Sequence, residues 1–130
     1  METTTYLVLR LAIAASMFGH GLVRLPKLSG FSTWMAGSFE KSIVPSFLVT
    51  PFSYALPVAE LVIGLFLLLG VFTRKASIAG SFVMIALIFG ACMIENWEAI
   101  PSQLIHVGFF AVLIQFVKNN TWAMDNVIGR

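Results

Sequence analysis

Charge is scarce in this sequence. Only 11% of its 130 residues are Asp, Glu, Lys or Arg, against about a quarter in soluble domains, while 58% are hydrophobic. That balance excludes an ordinary soluble surface and marks an integral membrane protein. Cysteine is scarcer still. The single Cys92 rules out an internal disulfide and any multi-cysteine metal or iron–sulfur site within the chain, and it reads as a buried, inert thiol. The eight Lys and Arg residues are scattered and form no basic stripe, so nucleic acid is not expected as a partner. There is no Gly-rich phosphate loop and no flavin or nicotinamide fingerprint. No motif pairs a Ser, Thr or Cys with a base. No catalytic residue is therefore assigned, and electrons for any redox chemistry must come from a partner.

What the sequence does have is apolar length. At about 20 apolar residues per crossing, it holds four transmembrane helices and one sizeable loop, which leaves no room for a second domain. Residues 1–130 are read as a single all-α membrane bundle with spans over about 6–25, 52–72, 76–94 and 101–117. The first span carries Arg10 near its start and His20 and Arg24 near its end. An Arg ahead of a short apolar core invites comparison with a signal peptide, but a clear small-x-small cleavage site is missing and the span is expected to be retained. Pro57 falls in the first turns of the second span, where a missing N–H costs least. The third span is uncharged, and Gly80, Gly90 and Ala91 offer it small surfaces for helix contact. The fourth begins at Pro101, a residue suited to a helix start, and carries Gln103 and His106.

The segment between the first two spans is too polar to cross a bilayer. Within it Phe31, Trp34, Met35 and Phe39 recur at helical spacing opposite Ser32, Thr33 and Lys41. That pattern predicts an amphipathic interfacial helix over about 31–43, acting as an anchor or a lid. Trp34, Trp97 and Trp122 fall at span edges or in this loop, as an aromatic belt requires. Glu60 opens an uncharged run that Arg74 and Lys75 close. These two share one side with Lys118, Arg130 and the amino terminus, while Arg24, Lys27 and Lys41 lie opposite with Glu95 and Glu98. The count places both termini in the cytoplasm. Arg10, near the cytoplasmic end, is expected to snorkel to the headgroups; the alternative is a buried partner for helix carbonyls or for Asp125.

Three segments, LRLAIAASMFGHGLVRLPKLSGF, AELVIGLFLLLGVFTRKASI and the tail WAMDNV, together resemble the DoxX family of small four-helix membrane proteins, relatives of the DoxD-type subunit of thiosulfate:quinone oxidoreductase. MIENWEAIPSQ and Asn119-Asn120-Thr121 depart from that pattern. The resemblance implies a multi-pass, redox-associated protein of the bacterial plasma (inner) membrane. It also implies a quinone-type ligand and a membrane or redox protein partner, or a larger complex.

Helical rise converts position into depth, and from the outer ends of their spans His20 lies roughly 7 Å in, Glu60 roughly 12 Å and His106 roughly 8 Å. Ser16, His20 and Arg24 share one face of the first helix; Gln103, His106 and Phe110 share one face of the fourth. Lipid satisfies none of these groups, so they should converge inside the bundle beneath the loop helix. A quinone head group presents two carbonyl oxygens, and a histidine can donate a hydrogen bond and carry a proton near neutral pH. A carboxylate balanced between desolvation and a nearby guanidinium can shuttle protons. His20, Arg24, Glu60, Gln103 and His106 are accordingly the candidate ligand-binding residues. Two alternatives stay open. The same residues could form a packing network in a non-catalytic accessory subunit of a larger complex. Less favoured is a haem between the two histidines, with Arg24 near its propionates, since nothing in the sequence clears space for a porphyrin. Two His and one carboxylate fall short of the four ligands of structural zinc, and no metal is expected.

Overall fold

The computed structural model describes residues 1–127, so Arg130, counted above for orientation, lies outside the described residues. Among the described residues the chain folds into helices α1 (Thr3–Arg24), α2 (Leu28–Ser38), α3 (Ser46–Leu69), α4 (Thr73–Met93), α5 (Ile100–Gln115) and the short α6 (Met124–Val127), with no strand. Four stretches are long and apolar enough to cross a membrane: Thr3–Ser38, Ser46–Leu69, Thr73–Met93 and Trp97–Gln115. This is a multi-pass, four-span bundle.

Proline sets the first break. Pro26 has no N–H for the helical ladder, and the chain tightens into a 3-10 turn at Leu25–Lys27 before resuming as α2. α2 starts earlier and ends earlier than the expected 31–43. α3 starts at Ser46, before the expected Phe52, and carries Pro51 and Pro57 inside it. Ser32 corrects the expected polar face of α2. It is buried, and its hydroxyl meets that of Ser53 at 2.7 Å; Ser53 in turn donates to the Thr50 carbonyl at 2.6 Å. One polar pair thus joins α2 to α3 on the inner side, while Trp34 stays 59% exposed.

α1 lies along α3, and two glycines set the spacing. A Cβ on Gly21 would stand 2.5 Å from the Leu61 nitrogen and 2.7 Å from the Pro57 oxygen, and one on Gly64 would strike the Phe18 backbone. Small residues let backbones approach where lipid gives no hydrophobic push between helices. A core of Tyr6, Ile13, Met17, Ile63, Leu67, Met84, Phe110 and Leu113 fills the centre, and the Phe110 ring rests against Gly80.

The end of the bundle holding the amino terminus is closed by hydrogen bonds. Arg10 is 3% exposed, and one of its Nη atoms donates to Asn120 Oδ1 at 2.7 Å and to the Trp122 carbonyl at 2.8 Å. Snorkelling is therefore corrected: the tail folds back and supplies acceptors that a headgroup would otherwise provide. Asn120 Nδ2 donates to Thr73 Oγ1 at 2.9 Å, and Tyr6 donates to the Leu113 carbonyl at 2.8 Å. Asp125 accepts the Phe72 N–H at 2.6 Å and the Thr73 N–H at 2.9 Å. It caps α4 from a distant part of the chain, where a carboxylate also faces the favourable end of the helix dipole. Phe72 has left-handed backbone (φ 49°), a conformation costing a side-chain-bearing residue about 1–2 kcal/mol, and the Asp125 cap helps to hold it.

Replacing Asp125 with Ala removes both acceptors, and should lower unfolding stability in detergent by about 1–2 kcal/mol. Asp125→Asn, which keeps one acceptor, should lose less. A thermal melt in which Asp125→Ala matches the wild type would show that the cap contributes nothing.

Candidate functional site

The opposite end of the bundle is open. α1, α2, α3, α4 and α5 surround a cavity of about 700 Å³, and His20, Arg24, Glu60, Gln103 and His106 all line it. The wall is divided by chemistry. These five side chains, with Ser102 and Asn96, occupy the polar part; Phe31, Trp34, Phe39, Leu48, Phe52 and Leu87 are among those that make the apolar part.

Glu60 has an ion-pair partner. Arg24 Nη1 lies 3.0 Å from Glu60 Oε1, with the arginine side chain 32% exposed and the glutamate 3%. The Arg24 guanidinium also sits 4.7 Å from the centre of the Phe31 ring, a cation–π contact that steadies it across the proline break. This pair is possible because Gly21, one turn before Arg24, lets α1 approach α3 beside Leu61.

Both histidines are oriented by their own helices. His20 Nδ1 donates to the Ser16 carbonyl at 2.6 Å and His106 Nδ1 donates to the Ser102 carbonyl at 2.7 Å. A carbonyl only accepts, so in the neutral rings the proton sits on Nδ1 and Nε2 carries a lone pair. Ser16 Oγ lies 2.7 Å from His106 Nε2 and donates to it. The rings stand edge to face, 6.4 Å apart. His106 thus has both ring nitrogens engaged, while among the described residues His20 Nε2 has no partner. Gln103 lines the same wall, and its Oε1 is buried without a hydrogen-bond partner among the described residues.

Ser16 was recognised as sharing the His20 face but not as a link between helices; nothing in the i, i+4 spacing says that its hydroxyl reaches α5. Phe31 gave no signal of contact with Arg24, because the proline break between them destroys helical periodicity.

A family model described as DoxX matches residues 5–93. The chain belongs to the DoxX family. No curated protein matches it, and no solved structure does. The DoxX segment contains α2 to α4 and all but the first two residues of α1, and with them His20, Arg24, Glu60 and most of the cavity's apolar residues. Gln103 and His106 lie on α5, beyond the matched residues, as do Asn120 and Asp125 in the tail.

The ion pair can be tested by a double-mutant cycle. Removing the partner of a buried charge costs about 3–5 kcal/mol, whereas Glu60→Gln keeps a hydrogen-bonding head. Arg24→Ala should therefore lower the melting temperature in detergent more than Glu60→Gln does. The double variant should be less damaged than the sum of the two single changes. Strict additivity would mean that the two side chains do not stabilise each other.

Proposed function

We propose that this DoxX protein binds a lipid-soluble, ring-headed molecule of the quinone type and serves a membrane redox process together with a protein partner. The observation that carries the reading is the division of one cavity wall into a polar part and an apolar part. A volume of about 700 Å³ is in the range of small-molecule sites, which are mostly apolar with a few placed polar groups. A quinone has that same division: a polar ring and an apolar isoprenoid tail. In this reading Arg24, paired to Glu60, offers its remaining N–H groups to a ring oxygen. His20 faces the ring through Nε2, and Phe and Leu side chains take the tail. His106 positions Ser16. One observation favours the alternative of a non-catalytic accessory subunit: several of these polar side chains already bond one another, as a network that only holds helices together would.

Gentle purification separates the two. Solvent extraction should recover a quinone, in its oxidised or reduced form, in an amount approaching that of the protein, and His20→Ala, which removes the open ring nitrogen on the polar wall, should retain less of the reduced form while keeping its melting temperature. Losing a polar partner costs about 1–3 kcal/mol, roughly ten- to a hundred-fold in affinity. Absence of quinone from the wild type, with no thermal stabilisation by added quinone, would leave the accessory role. A Soret band lost with His20 would assign the site to haem.

We further place the protein in the bacterial plasma membrane with both termini cytoplasmic, the orientation that the Lys and Arg count supports. Cysteines introduced at the exposed positions Glu40 and Glu98, in a Cys92→Ser background, should react with an impermeant thiol reagent in intact cells. One at Thr121 should react only after lysis. Labelling of Thr121→Cys alone would invert the orientation.

A further inference from the structure

The hydrogen bonds at the polar wall carry information about which redox form of a ring ligand fits. This inference rests on the reading of the cavity as a site for such a ring. His20 Nδ1 is 2.6 Å from the Ser16 carbonyl, which cannot donate, so the proton of the neutral imidazole stays on Nδ1 and Nε2 is an acceptor. No side chain or backbone group among the described residues donates to that Nε2. Glu60 has a similar imbalance: Oε1 takes Arg24 Nη1 at 3.0 Å, and Oε2 has no donor among the described residues. The polar wall thus presents three open acceptors, His20 Nε2, Glu60 Oε2 and Gln103 Oε1, with the remaining N–H groups of Arg24 and the amide N–H groups of Gln103 and Asn96 as donors.

We infer that the cavity takes the hydroquinone form of its ligand, whose ring carries hydroxyl groups, in preference to the quinone form. A ring carbonyl can accept from Arg24 but sets its lone pairs against those of His20 Nε2 and Glu60 Oε2. A ring hydroxyl both accepts from the guanidinium and donates to the imidazole or the carboxylate. The same atoms are matched in one redox state and mismatched in the other. Since a polar atom that gives up water without gaining a partner is costly, the difference in affinity is at least about ten-fold. Ser16 is the positioning residue of this arrangement. Its carbonyl fixes the proton on His20, and its hydroxyl occupies His106 Nε2, which leaves His20 as the histidine that meets the ring.

The test compares one compound in two states. A benzoquinone with a short alkyl tail, and the same compound chemically reduced, are titrated under anaerobic, mildly alkaline conditions into protein held in lipid nanodiscs, and equilibrium binding is measured for each. The reduced form should bind at least about ten-fold more tightly, and in His20→Ala, checked for an unchanged melting temperature, the preference should shrink towards parity through weaker binding of the reduced form alone. Equal binding of the two forms by the wild type, tighter binding of the oxidised form, or a preference that survives His20→Ala would overturn the inference while leaving the cavity as a ring site. Binding of neither form would overturn the cavity reading itself, and the inference with it.

Discussion

A carboxylate that is 3% exposed in a membrane bundle has to be matched by something inside the protein, because lipid offers it nothing. Glu60 is matched by Arg24, and much of the open half of the bundle follows from that requirement. Arg24 is near the last turn of α1, so α1 must lie close to the middle of α3. Gly21 and Gly64 let the two backbones approach. The chain must then turn away without drawing Arg24 out into the headgroups. Pro26 provides the turn, and Phe31 on the returning α2 covers the guanidinium. The loop helix is thus tied to the ion pair as well as to α3 through Ser32 and Ser53.

The two arginines of α1 are used differently. Arg10 is almost wholly buried and bonds neutral acceptors, Asn120 Oδ1 and the Trp122 carbonyl, in a region where Asp125, Thr73 and Tyr6 also have their partners. That end is tied shut by these hydrogen bonds, although Arg10 Nε and Ser77 Oγ are buried there without a partner among the described residues. Arg24 remains one-third exposed to an open cavity and spends one Nη on Glu60, which leaves donors for something else. Placing the cross-linking hydrogen bonds at one end lets the other keep an open cavity without the bundle losing its alignment.

Much of this fold is legible in the sequence because hydrophobic length and isolated charge are strong signals. Four spans, the loop helix and the layer that brings His20, Glu60 and His106 to one cavity all follow from counting residues along helices. Element ends are less legible: the second span is expected from Phe52, yet α3 runs back through Pro51 to Ser46. Faces fail where a small polar residue finds a partner. Ser32 looks like a solvent residue until Ser53 is seen opposite it. Arg10 looks like a snorkelling residue because its acceptors, Asn120 and the Trp122 carbonyl, lie more than a hundred residues away. No periodicity encodes a contact of that range.

The histidines show the same boundary between placement and role. Sequence spacing puts both at one depth and treats them as equivalent, since each has its own helix and a carbonyl four residues earlier to take the Nδ1 proton. What separates them is the rotation of α1 against α5, which brings Ser16 Oγ to one Nε2 and leaves the other facing the cavity. The asymmetry of the site therefore comes from one hydroxyl that reaches a single ring of the two, and the ring left open is the one carried on the same helix as Arg24.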